Sequence, residues 1–522
     1  MQEIEEPLEP TTQPVETKEA SPRGVGIITD VMKLVSGTGV VQVLSFLTSP
    51  ILSRLFLPVA FGIAQNFNSI VTTLGVISAM RYEVTIMLPK RREDAANQLS
   101  ISLMFTALTG LLMAPLLWMW REPIAGWLRS PELAPYFWLV PVGVVAESLF
   151  AVLRQWNSRN RKYLRLSAVQ VSDEATADAL KLGLGFGGQT GGGALLVSNL
   201  VGSVVSTGLL GGLIWRDDGK FILKSIRWQK MREGIWQYRK FPLYNIWAAF
   251  LNTASLNIPA FLLSAFFSPT VTGYYSLGNR LLRLPISLIS GSIGQVFYQR
   301  AARAYHDGNL DRLVDETFHR LVVFGLFPML LITVIGKELF VVLFGPEWTQ
   351  AGVYSQILSL WTFFVFLAAP LSGITNVLGR NEVSLILNLV VFITRALSLV
   401  IGGILNNVIL GLVLFSASGV LSYGAYCLWA TSVSGVPLQR TLRQLGSNLL
   451  FCAPFLGVTA LVKWLVPLPE TSLTALHLSL PGLVILAVGG LAGVAYYLLA
   501  IVKDQMVRDA LVPILRKYHL WR

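Results

Sequence analysis

Long apolar runs recur along the whole chain, and they limit what it can fold into. A membrane-spanning helix needs about 20 consecutive, mostly apolar residues, and 53% of the 522 residues are hydrophobic. Only 13% are charged, compared with about 25% in soluble proteins. The sequence therefore predicts an all-α polytopic membrane protein. Its fourteen predicted spans lie at about 32–53, 60–88, 98–119, 136–156, 167–187, 193–214, 243–267, 273–297, 317–336, 351–377, 383–402, 406–430, 446–466 and 479–502.

Basic residues in the loops predict the topology, because cytoplasmic loops are rich in Lys and Arg. With the N-terminus inside, the inside segments hold most of the 41 basic residues. The outside loops then hold five, which are Arg54, Arg121, Arg129, Lys337 and Lys463. We therefore expect both termini in the cytoplasm. The net charge of +12 reflects this topology and contact with anionic lipids, rather than nucleic-acid binding.

A faint internal repeat divides the chain into halves. Pro58 and Gly62 lie at the start of the second span in "FLPVAFG", and Pro269 and Gly273 lie at the start of the eighth, 211 residues later, in "FSPTVTG". Between the sixth and seventh spans, Lys and Arg alternate with apolar residues, which is typical of an interfacial amphipathic helix. Internal repeats are common in transporters, with the substrate path between the halves.

The repeat and the basic connection together predict five regions. Two six-helix lobes form the body, and two C-terminal helices follow them. The regions are a disordered cytoplasmic tail at 1–30, the N-lobe at 31–215, the basic amphipathic linker at 216–241, the C-lobe at 242–432, and the last two spans with a basic cytoplasmic tail at 433–522.

The sequence argues against several kinds of chemistry. Cys427 and Cys452 lie in apolar runs and the four histidines are scattered, so we expect neither a disulfide framework nor a metal site. A Walker A sequence does not occur, which excludes ATP hydrolysis by that route. The outside loops are too short for a catalytic domain. We therefore expect a protein that is not an enzyme and that needs no cofactor beyond a coupling ion.

Arginines inside the predicted spans indicate a site for an anion. Arg280 and Arg283 share one helical face of the eighth span, although a charge inside the bilayer costs about 2.5–3.5 kcal/mol. The planar guanidinium suits phosphate oxygens. We predict a pyrophosphate site made by this pair with Arg395 in the eleventh span and Arg81 near the end of the second. The alternative is that these arginines snorkel to the headgroups or pair with acids.

Two intramembrane acids are candidates for ion coupling. Glu147 lies near the centre of the fourth span, with Arg154 on the same face, and a buried carboxylate can carry a proton. A structural pair with an arginine is the alternative. Asp178 shares a face with Glu174 and Lys181 in the fifth span. For Asp178 the simpler interpretation is that the acids decorate a helix N-terminus, where they suit the dipole.

Uncharged polar residues also recur inside the spans. We predict that they line a cavity and bind sugar hydroxyls, although hydrogen bonds between helices would use the same groups. These residues are Gln42, Asn245, Asn252 and Asn388.

Several segments resemble the polysaccharide-biosynthesis branch of the multidrug/oligosaccharidyl-lipid/polysaccharide exporter superfamily. They are "RLFLPVAFG", "MRYEVTIMLPKRREDAAN", "KFPLYNIWAAFLNTASLNIPAFLL", "GYYSLGNRLLRLPISLISGSIGQVFYQRAA" and "LFGPEWTQAGVYSQILSLW". The resemblance implies a flippase of the bacterial inner membrane, with a V-shaped central cavity between two lobes and alternating access driven by H⁺ or Na⁺. Related flippases carry cationic side chains on the eighth helix, and Arg280 and Arg283 stand at matching positions.

The implied substrate is an undecaprenyl-pyrophosphate-linked oligosaccharide. Further expected partners are membrane lipids and a polysaccharide polymerase with its co-polymerase, and we expect a monomer that binds no nucleic acid. A drug or metabolite antiporter of the same superfamily is the first alternative, and its cavity would favour acids over arginines. A membrane polysaccharide polymerase is the second, and the short outside loops argue against it.

Overall fold

A computed structural model describes residues 23–287, 291–466 and 480–503, and within them the chain is helical with no strand. The predicted tail before residue 23 and the basic tail after residue 503 lie outside this part. Every predicted span overlaps one long helix. The long helices are α1 (Arg23–Leu55), α2 (Pro58–Ser78), α3 (Arg92–Met119), α4 (Leu139–Arg159), α5 (Tyr163–Phe186), α6 (Gly192–Ser225), α7 (Ile246–Phe266), α8 (Pro269–Pro285), α9 (Leu310–Phe344), α10 (Thr349–Leu371), α11 (Asn381–Ile404), α12 (Val408–Val433), α13 (Leu438–Leu465) and α14 (Leu480–Lys503).

Short helical segments connect the long helices. They are the α-helices Arg121–Trp127, Trp228–Gln237, Gly291–His306 and Gly373–Val377, the 3₁₀ turns Tyr82–Met87, Pro131–Tyr136 and Pro346–Trp348, and the π-turn Phe241–Asn245. The predicted amphipathic linker is formed by the end of α6 and by the helix at Trp228–Gln237.

Ten helices in the described ranges are long and apolar enough to cross a membrane. The number fourteen therefore stays a prediction. Of the other four long helices, α1 counts only as a shorter apolar helix over Gly39–Leu55, and α8 has 17 residues. Polar residues interrupt the apolar runs of α2, α5 and α8, and all three helices line the cavity described below. These polar residues therefore have a structural reason, since they face the space between the two halves of the molecule.

One predicted span ends earlier than expected. The second span was predicted to reach residue 88, but α2 ends at Ser78, and the backbone is left-handed at Met80 (φ 52°) and Arg81 (φ 61°). Such φ values interrupt a helix of L-residues. The eighth span was predicted to continue to 297, and its residues 288–290 lie outside the described ranges, between the end of α8 at Pro285 and the helix that begins at Gly291.

The helices pack in two groups that meet along α2. In the first group α1 packs on α5, and α2 packs on α4 and α6. In the second group α9 packs on α10, and α11 and α12 pack together. The two groups meet where α2 contacts α7 and α8, and α13 and α14 pack on the outside of α9. The boundaries of the predicted lobes stay a prediction.

The repeated Pro-x-x-x-Gly segments contact each other directly. Both α2 and α8 begin with their proline, whose fixed φ suits a helix start. A Cβ atom added to Gly62 would lie 1.7 Å from the Pro269 carbonyl oxygen. A Cβ added to Gly273 would lie 1.9 Å from the Pro58 carbonyl oxygen. Only glycine allows the two backbones to approach this closely. We call this reciprocal contact the seam.

Side chains from both groups reinforce the seam. Trp348 Nε1 donates a hydrogen bond of 2.9 Å to the Ser53 carbonyl oxygen, and the Phe61 ring meets the Trp348 ring edge-on at 4.9 Å. Asn66 Nδ2 donates to Ser264 Oγ at 2.7 Å. These contacts join the two groups and fix the halves at this end of the bundle.

Alanine at Gly62 should separate the helices at the seam. Elsewhere in a helix alanine is favoured over glycine by about 1 kcal/mol, but here its methyl would meet a backbone oxygen. The probe is a cysteine introduced at Ser276, which lies one turn below Gly273. In the Gly62→Ala protein we expect it to react several-fold faster than in the parent protein with a membrane-impermeant maleimide added outside intact cells. Background labelling should be low because Cys427 and Cys452 are buried.

The matched control is Gly208→Ala on α6, since a Cβ there would meet no atom within 4 Å. It should leave the labelling rate at the value of the parent protein. Equal labelling in the Gly62→Ala and Gly208→Ala proteins would mean that the seam does not close the cavity.

Candidate functional site

A cavity of about 400 Å³ lies below the seam, between the two helix groups. Six helices line it, namely α1, α2, α5, α6, α7 and α8. Apolar residues such as Leu52, Phe61 and Leu195 form part of the wall. The polar part of the wall consists of Gln65, Asn68, Glu174, Lys181, Asn199, Ser276, Asn279 and Arg280.

Arg280 extends across the cavity from α8 to the first helix group. Its Nη2 atom lies 3.0 Å from Glu174 Oε1 on α5. The same nitrogen donates to Ser45 Oγ on α1. The side chains of Arg280 and Glu174 keep 38% and 24% of their surface exposed. The guanidinium is therefore held by the opposite group but stays accessible from the cavity.

A second ion pair lies inside the wall on α5. Lys181 Nζ is 2.9 Å from Asp178 Oδ1, and both side chains are almost fully buried. Thr48 Oγ1 on α1 donates to the other carboxylate oxygen of Asp178 at 2.5 Å. Asp178 lies fifteen residues after the first residue of α5, so the interpretation that it decorates a helix N-terminus is wrong. It neutralises Lys181 and ties α5 to α1.

The other three predicted arginines do not line the cavity. Arg283 is exposed, and its Nε donates to Asn279 Oδ1 at 3.3 Å. Arg81 lies in the turn after α2 and forms an ion pair of 3.0 Å with Glu83. Of the four predicted arginines, the structure brings Arg280 into the cavity wall.

Arg395 is buried inside the second helix group, with 4% of its surface exposed. Its guanidinium carbon lies 5.1 Å from the centre of the Trp361 ring and 5.5 Å from that of Phe415. Such contacts over aromatic faces stabilise a cation. Nε has no hydrogen-bond partner in the described part of the chain. A direct contact with a substrate in the cavity would therefore need a rearrangement of this group.

The remaining predicted residues are dispersed. Glu147 is exposed on α4, next to Gly75 of α2, and forms no ion pair within the described ranges. The other four lie outside the lining of the cavity, three of them exposed and Gln42 partly buried. The three exposed residues are Asn245, Asn252 and Asn388. Their roles stay predictions.

The sequence analysis did not predict most of the uncharged polar residues that line the cavity. On α2, Gln65 and Asn68 are three residues apart and therefore share a helical face. On α8, Ser276, Asn279 and Arg280 follow the same spacing. This periodicity of polar residues inside predicted spans was the available signal. Glu174 and Lys181 were placed on one face correctly, but the ion pair of Glu174 with Arg280 across the cavity depends on helix packing.

A family model described as "Polysaccharide biosynthesis protein" matches residues 51–352. The chain belongs to this family. This finding confirms the resemblance that the sequence segments predicted. Among similar proteins, the amylovoran biosynthesis protein AmsL of Erwinia amylovora is 22% identical over 380 residues, which cover 71% of this chain and 93% of AmsL. The succinoglycan biosynthesis transport protein ExoT of Rhizobium meliloti is 24% identical over 331 residues, 61% of this chain and 62% of ExoT.

Solved structures show the fold of this polysaccharide biosynthesis protein. The lipid II flippase MurJ in an inward closed conformation superposes with a TM-score of 0.69 at 14% identity, covering 91% of this chain and 100% of MurJ. An inward-facing multidrug resistance transporter of the MATE family and MOP superfamily gives a TM-score of 0.55 at 15% identity, covering 78% of this chain and 98% of the transporter. The protein is therefore a multi-pass membrane protein with the transporter fold of that superfamily.

The buried pair on α5 predicts a distinct stability pattern. Lys181→Met should destabilise the purified protein by about 3–5 kcal/mol, because it leaves the Asp178 carboxylate buried without its cation. The double variant Asp178→Asn with Lys181→Met removes both charges and should recover most of that loss. Thermal unfolding in detergent, followed by tryptophan fluorescence, would measure both.

The double variant also tests Asp178 as an ion-coupling residue. If its role is structural, the stable double variant should transport at a rate within about twofold of the parent protein, since surrounding contacts are kept. A stable double variant that has lost transport would instead assign Asp178 to coupling.

Proposed function

We propose that this protein is a flippase that moves undecaprenyl-pyrophosphate-linked oligosaccharides across the bacterial inner membrane for the synthesis of a surface polysaccharide. The observation that carries the proposal is Arg280, whose accessible guanidinium lies in a cavity between two helix groups. The diphosphate of such a lipid needs a cation on its way across about 30 Å of hydrocarbon. The names of the relatives, which refer to amylovoran biosynthesis and to succinoglycan biosynthesis transport, support polysaccharide synthesis as the setting.

The arrangement supports alternating access between two ends of the bundle. The seam closes the end at which Pro58 and Pro269 lie, which the predicted topology places outside. Side-chain hydrogen bonds between the two groups in the described ranges extend from the seam down to Asn257, which donates to Thr72 and Thr73 at 3.0 Å. We propose that the two groups separate below that level. This state would admit substrate from the cytoplasmic leaflet, and release would require the seam to open.

Glu174 would take part in the transport cycle. In this state its carboxylate forms an ion pair with Arg280, so a diphosphate that binds Arg280 must displace the carboxylate. A released carboxylate in a membrane cavity is costly unless it takes up a cation. We propose that Glu174 then binds the coupling H⁺ or Na⁺, in addition to the earlier candidate Glu147. Arg283 and, after a rearrangement, Arg395 would add positive charge near the path.

The remaining expectations are part of this proposal. The protein would work as a monomer with both termini in the cytoplasm. It would deliver its lipid-linked product to a polysaccharide polymerase and co-polymerase on the outer side. It would leave the glycan chemically unchanged, as a transporter and unlike a polymerase.

Arg280→Ala should reduce translocation at least tenfold, since a charge-assisted hydrogen bond contributes about 1.5–3 kcal/mol. Arg280→Lys should keep part of the activity because it keeps the charge but loses the planar fork. The assay is a proteoliposome that contains undecaprenyl-diphosphate-linked oligosaccharide, with a membrane-impermeant glycosidase to score the glycans that reach one leaflet.

The matched control is Arg312→Ala, an arginine on α9 that is 81% exposed and pairs with Glu316 far from the cavity lining. It should translocate at the parental rate. Parental activity in the Arg280→Ala protein would remove the site from consideration.

A drug or metabolite antiporter is the second candidate, and the carboxylate of Glu174 in the cavity wall is the observation that favours it. Deletion of the gene separates the two functions. The flippase predicts loss of surface polysaccharide with unchanged resistance to cationic dyes. The antiporter predicts normal polysaccharide and increased sensitivity to those dyes.

A further inference from the structure

The cavity has two chemically different levels. The partners of Arg280 give the depth of its guanidinium. Ser45 lies ten residues before Leu55, and Glu174 lies eleven residues before Gly185, which packs against Leu55. At 1.5 Å per residue both partners lie about 15 Å below the seam end of their helices. The guanidinium therefore points away from the seam, toward the lower part of the cavity.

Apart from Asn279, which accepts a hydrogen bond of 3.3 Å from Arg283, three amide side chains of the lining lie between the guanidinium and the seam. Gln65 and Asn68 are three and six residues below Gly62 on α2. Asn199 is seven residues below Gly192, whose position packs against Ile63. These intervals correspond to depths of about 5–10 Å. The amides thus line the upper level of the cavity, above the charged group.

Asn68 and Asn199 have unused hydrogen-bonding capacity. Both line the cavity and are partly exposed, and their side-chain amides form no hydrogen bond within the described ranges. Gln65 uses its amide nitrogen to donate to Ser69 Oγ at 3.0 Å, which leaves its oxygen available. An amide offers two donors and an acceptor, and a polar group inside a membrane protein needs a partner. Water or a polar ligand must supply it.

Among the lining residues that the structure describes, the upper level carries no free charge. Its one cation, Lys181, is neutralised by Asp178 at 2.9 Å. Amides next to apolar faces such as Phe61 and Leu195 suit sugars, which have hydroxyl groups at their edges and C–H groups on their faces. A diphosphate would instead be drawn to Arg280. The two levels therefore match two neighbouring parts of one glycolipid.

We propose that Gln65, Asn68 and Asn199 form a sugar-binding subsite for the sugar attached to the diphosphate, so that the glycan enters the cavity ahead of the phosphates. This inference rests on the proposed flippase function. A volume of about 400 Å³ is at the small end for ligand pockets, so the subsite holds the sugars nearest the diphosphate. The protein should consequently distinguish the loaded lipid from the bare lipid carrier.

The test compares loaded and bare lipid on the full chain in nanodiscs. The probes are undecaprenyl diphosphate and the same lipid bearing glucose, galactose or N-acetylglucosamine. The parent protein should bind at least one loaded lipid about tenfold more tightly than the bare one, as two or three hydrogen bonds allow. The Asn68→Leu, Asn199→Leu double variant should lose this preference and keep its affinity for the bare lipid.

Control variants separate this inference from the proposed function. Asn381→Leu replaces an exposed asparagine at the start of α11, outside the cavity lining, and should keep the preference. Arg280→Ala should weaken the binding of bare and loaded lipid alike. Unchanged binding of both lipids by that variant would contradict the diphosphate site at Arg280, but it would leave the sugar subsite standing. If the double variant is unstable, the single variant Asn199→Ser takes its place. An unchanged preference, or an equal loss for both lipids, would overturn the sugar subsite.

Discussion

A guanidinium inside a membrane protein needs a partner that stabilises its charge, and at Arg280 that partner is a carboxylate. Glu174 and Ser45 contact the guanidinium from the opposite helix group, across a cavity that keeps it accessible. Because the partners belong to the other group, the charge both joins the two halves and leaves a place where a substrate anion can replace Glu174.

The seam supplies the complementary property, a direct contact between two backbones. Gly62 and Gly273 let the backbones of α2 and α8 touch, and the contacts of Trp348 with Ser53 and Phe61 that reinforce them must separate when this end opens. Below it, polar residues of α2, α5 and α8 line the cavity, which explains why they interrupt the apolar runs of these helices. The seam, the cavity and the Arg280 guanidinium therefore follow one another along α8.

The sequence predicted much of this arrangement, because its signals are local. Apolar runs located every long helix, and the Pro-x-x-x-Gly repeat marked the two segments that form the seam. Arg280 was predicted to belong to an anion site because a charged side chain inside a membrane is costly. The failures concern contacts between distant helices. Nothing in the eleventh span indicates that Trp361 and Phe415 would enclose Arg395, and the left-handed backbone at Arg81 is not encoded by a glycine.

The most direct test of the central claim is a cryo-electron microscopy structure of the protein with undecaprenyl-diphosphate-linked oligosaccharide bound. The account predicts phosphate density about 3 Å from the Arg280 guanidinium, with the carboxylate of Glu174 released from it. A bound diphosphate elsewhere, with the pair of Arg280 and Glu174 still intact, would contradict the account.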